Sequence, residues 1–524
     1  MRIGIDVGGT HTDAVLLEGA RVLTSVKALT TPDVTSGISL AVEGLRRRHR
    51  FDPSRIRAVV IGTTQFLNAL IEGHRLTKTA ALRLGWPSGA AIPPLTNWPE
   101  PLVTAMSGRG YQARGGHEFD GRRIAEPDPG ELRAAAADMA AAGVRSVAIS
   151  SVFSPVDAEF EIRAAEIVSA ELPDVDISLS HEIGRIGLLE RENATILNAA
   201  LRELAGDVVN GLVEAVAGAG VTSPLYLSQN DGTLMDADHA RRCPVATFAS
   251  GPANSMRGAA VLSQLDSCAV VDVGGTTTDI GVLQGGFPRE ATAGVRVAGV
   301  RTNFRMPDVV SLGIGGGSEV HGATPAPVIG PRSVGRLLTS RALVFGGGTL
   351  TATDIAVAAG RAEVGDPDRV RHLDRAFVDA VLARIADEIA GGVRTMRTSA
   401  RSLPLVAVGG GTLLLPDRLA DIGTVHRPEH SAVANAVGAA AARVGGETDR
   451  VYAAGTTGHR SLIDEAKQEA VARAVAAGAD PSTVRIVDYD EVPLPYLPGN
   501  ATRVRARAVG DLRPPAGGEA ARDT

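Results

Sequence analysis

Two segments of the chain share one pattern of hydrophobic and polar positions. Residues 3–17 read IGIDVGGTHTDAVLL, and residues 269–283 read AVVDVGGTTTDIGVL. In each, an apolar run leads into Asp-Val-Gly-Gly-Thr, one variable residue, Thr-Asp and a second apolar run. Two apolar runs joined by a tight glycine turn predict a β-hairpin. The equivalent Asp6 and Asp272 lie 266 positions apart, and this spacing predicts two large duplicated halves.

Between and after the hairpins, helix-like and strand-like patterns alternate. The predicted helices are 33–50, 64–73, 128–143, 157–172, 188–219, 250–264, 352–361, 373–398 and 461–477. The predicted strands outside the hairpins are 57–62, 78–84, 144–153, 405–408, 483–490 and 501–509. Alternation of this kind predicts an α/β architecture.

Shifts in composition predict the domain boundaries. We expect a first half at 1–200, with a Pro- and Gly-rich insertion around 86–129, and a second half at 201–446. After residue 447 the pattern changes, which predicts a small C-terminal α+β domain at 447–512. Residues 513–524 are predicted to be a disordered tail, because they contain almost no large apolar residues.

Composition narrows the classes of function. The net charge of −6 gives no electrostatic basis for binding nucleic acid or an anionic membrane. No run of about 18 apolar residues predicts a membrane span. Two cysteines and an N-terminus without a signal-peptide pattern predict a cytoplasmic protein. Arginine far outnumbers lysine, so a catalytic lysine has only three candidates, Lys27, Lys78 and Lys467.

The two repeated octets have the residues of a phosphate-binding turn. Glycines let backbone N–H groups approach phosphate oxygens, threonines add hydroxyl donors, and an aspartate beside them can hold Mg²⁺ directly or through water. Two such loops facing one cleft could bind a triphosphate from both sides, with Asp6 and Asp272 at the metal and Asp272 or Asp13 orienting the attacking oxygen. The alternative is an ordinary hairpin whose aspartates cap turns. The predicted cofactor-binding residues are Asp6, Gly8, Gly9, Thr10, Thr12, Gly274, Gly275, Thr276 and Thr277.

A third glycine-rich turn follows the predicted strand 405–408. Gly409, Gly410 and Gly411 would let a flat adenosine moiety lie against the backbone. The alternative is a tight turn between a strand and a helix. No Gly-Lys-Ser/Thr sequence occurs, so none of these turns is a Walker loop.

Four residues are weaker candidates for substrate contacts. His11 lies inside the first octet, but a turn residue facing solvent fits equally well. Asn68 could face the cleft or cap a helix. Asn193 could face substrate. The alternative is that Arg191, Glu192 and Asn193 form a charged helix face that is exposed to solvent. Asn254 follows Gly-Pro at the expected start of a helix, where N–H groups favour anions. The remaining histidines considered, His117, His181, His321 and His426, show no metal-ligand spacing, and no zinc site is predicted.

These residues resemble a known family. Two Asp-x-Gly-Gly-Thr hairpins and a late Gly-Gly-Gly-Thr turn, in this order, resemble the actin, sugar-kinase and heat-shock chaperone ATPase superfamily. More narrowly, residues 1–445 are similar to the hydantoinase A / 5-oxoprolinase family. The supporting stretches besides the two hairpins are GTTQFLNALIEG (62–73), SHEIGRIGLLERENATILNAAL (180–201), FASGPANSMRGAA (248–260) and SLGIGGGSEV (311–320).

The resemblance implies a fold and an activity. It implies a duplicated ribonuclease-H-like (actin-like ATPase) core with a nucleotide cleft between its halves, in which Asp6, Asp272 and Gly409–Gly411 match the family's loops. Members use ATP to activate a substrate carbonyl, typically of a hydantoin or 5-oxoproline, and relatives carboxylate ketones with bicarbonate. Many require a hydantoinase B-like partner, and we expect an oligomer.

Several functions remain open at this point. ATP-dependent hydrolysis of a cyclic amide is the leading hypothesis, and an ATP-dependent carboxylase subunit is the second. A nucleotide-sensing or chaperone-like ATPase is the third, although no separate peptide-binding domain is evident. A sugar kinase is the fourth.

Overall fold

A computed structural model of the chain describes residues 1–8, 11–30, 34–291, 294–399, 402–452, 459–494 and 501–513. Its first part contains the strands β1 (Arg2–Val7), β2 (His11–Glu18), β3 (Arg21–Leu29), β4 (Ala58–Thr63), β5 (Thr79–Trp86), β6 (Arg109–Arg114), β7 (Ser146–Ser151), β8 (Asp176–Leu179), β9 (Leu225–Ser228) and β10 (Thr233–Asp236). The helices of this part are α1 (Val34–Arg48), α2 (Gln65–Glu72), α3 (Glu100–Ala105), α4 (Pro129–Ala141), α5 (Glu159–Glu171), α6 (Ser180–Ile183), α7 (Leu188–Ala200), α8 (Arg202–Gly218), α9 (Ala237–Arg242) and α10 (Ser250–Ser263).

The second part begins at the second hairpin. Its strands are β11 (Cys268–Val273), β12 (Thr278–Gln284), β13 (Phe287–Pro288), β14 (Val295–Val297), β15 (Val300–Thr302), β16 (Val309–Leu312), β17 (Ser318–His321), β18 (Val328–Ser333), β19 (Leu405–Val408), β20 (Arg418–Leu419), β21 (Gly423–His426), β22 (Arg443–Tyr452), β23 (Arg485–Pro493) and β24 (Thr502–Gly510). Its helices are α11 (Leu338–Arg341), α12 (Ala352–Ala358), α13 (Arg375–Met396), α14 (Ala434–Ala440) and α15 (His459–Ala476). The predicted α/β class is confirmed, and both sheets that contain a repeated hairpin are mixed.

The first of these sheets has nine strands in the order β23-β24-β22-β10-β9-β4-β1-β2-β3. Its central strands are apolar on both faces, which is typical of a sheet covered on both sides. Because successive strand residues point to opposite faces, Ala14 and Leu16 join the core that contains residues of α1 and α8. Val15 and Leu17 pack against α14 on the other face.

The second sheet repeats this arrangement around β11 and β12. Its path is β13-β12-β11-β19-β21-β20, with β16 also paired to β12. Val271 and Val273 face the core formed with α12 and α13. Val270 faces the opposite side, where Met256 and Ala259 of α10 pack. Each hairpin is therefore held between two helical layers.

Helices α10 and α14 cross each other between the two sheets. α14 packs on β1 and β2, whereas α10 packs on β12 and β11. The crossing is close because glycine lies on both helices. A Cβ built on Gly258 would lie 1.9 Å from the Ala434 oxygen, and one built on Gly438 would lie 1.8 Å from the Asn254 oxygen.

The chain between β4 and β9 forms a separate parallel sheet, β6-β5-β7-β8. Helices α4 and α5 cover it through a core that contains Leu132, Met139, Phe160 and Val168. The predicted insertion around 86–129 supplies α3 and the edge strand β6. This sheet lies in sequence between the elements that build the first hairpin sheet.

The C-terminal strands extend the first sheet. β22 pairs with β10 and with β24, and α15 packs on β22 and β24. The predicted helix and strands at 447–512 exist, but they are attached to the sheet that contains the first hairpin. That sheet also takes β9 and β10 from beyond the predicted boundary at residue 200, and the division into domains stays a prediction. Of the predicted tail, residues 514–524 lie outside the described residues.

Candidate active site

The first hairpin places two carboxylates side by side at the end of β1. Asp6 and Asp13 are directly opposite each other in the antiparallel pair, and each is 9% exposed. The turn is closed by a hydrogen bond from the Gly8 N–H to the His11 carbonyl, at 3.0 Å. Gly8, at the start of the turn, therefore lies beside a pair of buried acids.

The second hairpin has the same geometry. Asp272 is opposite Asp279 in the β11–β12 pair, and the Gly274 N–H donates to the Thr277 carbonyl at 2.9 Å. Two distant copies of one sequence motif thus fold into the same local structure.

Both hairpins line one cleft of about 600 Å³. The third glycine turn enters the same cleft from the end of β19. The predicted residues that line it are Asp6, Gly8, His11, Asp13, Asn68, Asp272, Gly274, Gly275, Thr276, Thr277, Gly409, Gly410 and Gly411. The second part of the chain adds apolar lining from Leu338, Phe345, Ala356, Ala362, Val364, Leu413 and Leu414. The cleft therefore combines a polar, glycine-rich region with apolar lining.

Close packing explains two of the glycines at the cleft. A Cβ on Gly409, which has φ +90°, would lie 2.3 Å from Oδ1 of Asp272. A Cβ on Gly315 would lie 2.6 Å from the Thr276 nitrogen. In the loop that contains Gly315, Gly316 and Gly317 donate N–H groups to the carbonyls of Gly274 and Gly275, at 3.0 and 2.7 Å. These hydrogen bonds hold the loop against the turn of the second hairpin.

The cleft concentrates negative charge away from water. Burial, together with the nearby carboxylates of Asp13 and Asp272, raises the pKa of Asp6 to about 7. Burial, with Asp279 beside it, raises the pKa of Asp272 to about 6. Burial also raises the pKa of Asp13, while the ammonium of Lys27 opposes that shift. Such clusters of buried acids are typical of functional sites.

Two contacts at these acids were missed by the sequence analysis. Lys27 Nζ donates to both carboxylate oxygens of Asp13 at 2.8 Å. The signal was present, because β2 and β3 form a short hairpin in which Asp13 and Lys27 are opposite each other. Asn435, at the start of α14, donates to Oδ2 of Asp6 at 3.3 Å, and no local sequence signal indicates that contact.

Some predicted site residues lie elsewhere. Gly9 and Thr10 are outside the described residues. Thr12 points to the face opposite its neighbours, and its hydroxyl lies 3.3 Å from that of Thr30. Asn193 accepts a hydrogen bond from the Trp98 indole at 2.8 Å and donates to the Arg301 carbonyl at 2.9 Å. The structure brings neither Thr12 nor Asn193 to the cleft.

Asn254 lies behind Asp6. A Cβ on Gly62 would come within 2.6 Å of the Asn254 nitrogen and 2.7 Å of Oδ1 of Asp6. Asn254 is fully buried, and neither its amide oxygen nor its nitrogen has a partner among the described residues. Buried polar atoms without partners are rare in native proteins. Water held around a cation beside Asp6 would supply such partners.

The donor set fits Mg²⁺. Asp6 and Asp272 offer carboxylate oxygens, which this ion prefers, and burial raises the pKa of both, so that their ionised forms need added positive charge. A divalent cation between the hairpins would provide that charge. Asp6 and Asp272 are the residues that would hold it, directly or through water.

Replacing Asp6 by asparagine is expected to stabilise the nucleotide-free protein at pH 8 and to leave it unchanged near pH 4. With its pKa raised to about 7, Asp6 keeps a proton in the folded state that the unfolded state releases above its ordinary pKa of 3.8. Its contribution to stability is therefore full below pH 4 and is lost as the pH rises through 7. The expected gain at pH 8 is roughly 2–4 kcal/mol, at about 1.4 kcal/mol per pKa unit.

Urea unfolding of the wild type and Asp6→Asn at both pH values measures this difference. The exposed Asp266 gives the control, because Asp266→Asn should change stability little at either pH. A wild type as stable as Asp6→Asn at pH 8 would show that Asp6 ionises without cost.

The lengths and hydropathies of the helices bear on membrane crossing. Among those within the described part of the chain, none combines the length and the hydropathy needed to cross a membrane.

Comparison with known proteins identifies related sequences. The model of the hydantoinase/oxoprolinase N-terminal region matches residues 2–172, and the hydantoinase/oxoprolinase model matches residues 191–401. The caprolactamase subunit alpha of Pseudomonas jessenii is 29% identical over 442 residues, which is 77% of this chain and 61% of that protein. The acetophenone carboxylase gamma subunit of Aromatoleum aromaticum is 27% identical over 394 residues, or 68% of this chain and 53% of that protein. The matches thus span between half and two thirds of these relatives.

Solved structures show the same fold. The ATP-dependent caprolactamase from Pseudomonas jessenii superposes with a TM-score of 0.79 at 21% identity, covering all of this chain and 89% of that one. Nucleotide-free acetone carboxylase superposes with a TM-score of 0.70 at 17% identity, covering 98% and 88%. With two matched family models that together cover most of the sequence, the chain belongs to the hydantoinase/oxoprolinase family.

Proposed function

We propose that this chain binds Mg²⁺-ATP in the cleft and uses it to open a small cyclic amide. The observation that carries the proposal is the convergence of two near-identical acid-and-glycine hairpins on one cleft. On this proposal the sheets around β1 and β11 are the cores of two duplicated ribonuclease-H-like halves, as in actin-like ATPases. The predicted division into 1–200, 201–446 and 447–512 belongs to the same proposal.

Each part of the cleft has a proposed role. Backbone N–H groups and hydroxyls of the two turns bind the phosphates, and the turn at 409–411 with the apolar lining binds adenosine. Lys27 holds Asp13 in place through its bidentate ion pair. The residues proposed for the phosphates are Gly9, Thr10, Gly275, Thr276 and Thr277, since the N–H groups of Gly8 and Gly274 already close the turns.

The proposed chemistry makes an unreactive amide electrophilic. The amide oxygen takes up the γ-phosphoryl group as ADP departs, and the carbon that bears this oxygen then accepts water. Collapse of that adduct breaks the C–N bond and leaves an amine and an acyl phosphate on the opened ring. A second water hydrolyses the acyl phosphate to a carboxylate and phosphate. Mg²⁺ held at Asp6 and Asp272 would neutralise charge on the phosphates. Asp13 or Asp272 orients the attacking oxygen, and positioning of this kind supplies much of the rate in phosphoryl transfer.

A lactam is the preferred substrate class because of the relatives. The more similar of the two reported relatives and the solved structure with the higher TM-score are both named as caprolactamase, an enzyme named for a cyclic amide. The second candidate is carboxylation of a ketone, and the similarity to the acetophenone carboxylase gamma subunit favours it. The two reactions differ in their need for bicarbonate.

The proposal includes a partner. Both reported relatives are named as subunits, alpha in one case and gamma in the other. We therefore propose that this chain is the ATPase component of an oligomer that contains a hydantoinase B-like or other subunit.

The test is ATP hydrolysis by the purified chain, alone and with the proteins encoded beside it. Lactams of several ring sizes, hydantoin and 5-oxoproline are tested, and acetone and acetophenone are tested with and without bicarbonate. An ATPase rate stimulated by a cyclic amide, without bicarbonate, supports the proposal, whereas stimulation only by a ketone with bicarbonate supports the second candidate. Open-chain amides of equal carbon number control for nonspecific activation, and Asp272→Asn controls for contaminating ATPases.

A further inference from the structure

His117 is an unusual histidine outside the ATP cleft. It is fully buried, and neither of its ring nitrogens has a hydrogen-bond partner among the described residues. Its ring stacks on Phe160 with centroids 4.2 Å apart, and its backbone N–H donates to the Val152 carbonyl at 3.0 Å. Burying an imidazole without partners costs free energy, so a ligand on either nitrogen would stabilise the arrangement.

Two carboxylates face this ring. Nε2 of His117 lies 3.7 Å from Oδ2 of Asp157, which is too long for a hydrogen bond. Oδ1 of Asp157 already accepts from the Glu159 N–H at 2.9 Å, so Oδ2 is the oxygen turned to the histidine. A nitrogen of His117 and one oxygen from each of Asp157 and Glu159 all lie within 4.8 Å of one another.

We propose that His117, Asp157 and Glu159 bind one Zn²⁺ ion. Zinc binds imidazole nitrogen and carboxylate oxygen at about 2.0–2.2 Å, so two ligand atoms on either side of one ion are separated by up to roughly 4.4 Å. The 3.7 Å gap between His117 and Asp157 fits an ion and does not fit a direct contact. Water can complete the coordination, because the side chains of Asp157 and Glu159 are 40% and 44% exposed.

Arg123 competes with the proposed zinc ion for Glu159, but it does not exclude the ion. Arg123 pairs with Glu159 at 2.8 Å and with Glu126 at 2.7 Å. If Glu159 turns one oxygen to the ion, Arg123 keeps its contact with Glu126. An imidazole among the proposed ligands distinguishes this site from the proposed Mg²⁺ site at Asp6 and Asp272, because Mg²⁺ prefers oxygen ligands while zinc accepts nitrogen.

The ion would join two loops. His117 lies on a turn closed by the bridge between His117 and Arg123. Asp157 lies in the segment 154–158, whose other residues line a second cavity of about 390 Å³. That cavity also has Arg185, Arg305 and Glu447 in its wall. A zinc bond between the turn and the segment would fix one wall of this polar cavity. The sequence analysis predicted no zinc site because these ligands are separated by 40 positions and match no local spacing.

The test is titration of the metal-stripped full chain with Zn²⁺ in millimolar Mg²⁺, by calorimetry and by thermal melting. One equivalent is expected to bind and to raise the melting temperature. Asp157→Asn is the informative variant, because an amide oxygen can keep the hydrogen bond to the Glu159 N–H while the charged ligand is lost. It should bind zinc at least tenfold more weakly, and His117→Gln should behave in the same way.

His321→Gln is the matched control. His321 is exposed and lies 3.1 Å from Glu319, so it is a surface His–Glu pair that should not contribute to the bound equivalent. Asp272→Asn should bind zinc as the wild type does, which separates this site from the ATP cleft. Absence of a saturable single site in the wild type, or equal zinc affinity in the wild type and a folded Asp157→Asn, would overturn the proposal.

Discussion

Asp272→Asn is expected to lower ATP turnover by roughly 10³-fold while the protein stays folded. Asp272 is half-buried at the end of β11 and faces the cleft shared by both hairpins. Asparagine has the same shape but lacks the charge that holds a divalent cation and orients the attacking oxygen. Because burial raises the pKa of Asp272 to about 6, removing its charge should not destabilise the nucleotide-free protein. Steady-state ATPase kinetics and thermal melting measure the two effects separately.

The matched control for this variant is Asp266→Asn. Asp266 precedes the same strand but is exposed, so the identical chemical change there should leave turnover within about twofold, as is usual for surface substitutions of small energetic effect. Wild-type turnover in a folded Asp272→Asn protein would remove Asp272 from the mechanism.

Gly438→Ala is expected to cost about 3 kcal/mol of unfolding free energy, at or above the upper end of the usual range for overpacking. Gly438 lies in α14 where it crosses α10. The new methyl carbon would lie 1.8 Å from the Asn254 oxygen and 2.8 Å from the Gly258 nitrogen. Both are backbone atoms, so relief requires the two helices to move apart. That movement would also displace Asn435, which donates to Asp6, and nucleotide affinity should fall with stability.

Gly206→Ala provides the control. Gly206 lies within α8, and a Cβ built there meets nothing within 4 Å. Alanine should therefore stabilise the protein by about 0.5–1 kcal/mol through its better helix propensity. If α10 and α14 cross this closely, urea unfolding should show a lower unfolding free energy for Gly438→Ala and a higher one for Gly206→Ala. Equal effects of the two substitutions would contradict the close crossing.

The hairpins were predictable because their information is local. Eight consecutive residues specify a strand end, a glycine turn and the acids on both sides, and the structure has both turns closed by equivalent hydrogen bonds. Helices such as 128–143 and 373–398 were predicted within a few residues of α4 and α13, because long periodic segments carry redundant signals. The pairing of Lys27 with Asp13 was also predictable, from the register of a short hairpin.

Other features depend on contacts between distant parts of the chain. The side chain of Asn193 forms hydrogen bonds with Trp98 and Arg301, which lie 95 and 108 positions away in the sequence. The alternative prediction placed its neighbours Arg191 and Glu192 on a charged face exposed to solvent. That prediction is wrong, because both residues are buried. Glu192 forms a buried ion pair with Arg83, a partner that local periodicity does not reveal.

The sequence pattern also did not indicate that the C-terminal strands join the sheet that contains the first hairpin. The alternating pattern at 501–509 predicts a strand, and β24 is one, but a strand pattern does not specify its neighbour. β22 joins β10 through two residue pairs, Thr233 with Arg443 and Leu234 with Val444. Sheet membership here is decided by tertiary packing, which single-sequence patterns do not contain.

Calorimetric titration with a non-hydrolysable ATP analogue, with and without Mg²⁺, tests most directly whether the two hairpins share one nucleotide. We predict one site per chain that requires Mg²⁺, that is retained in Asp266→Asn, and that is lost both in Asp6→Asn and in Asp272→Asn. Binding that ignores Mg²⁺, or that survives unchanged in both variants, would contradict a shared nucleotide between the hairpins.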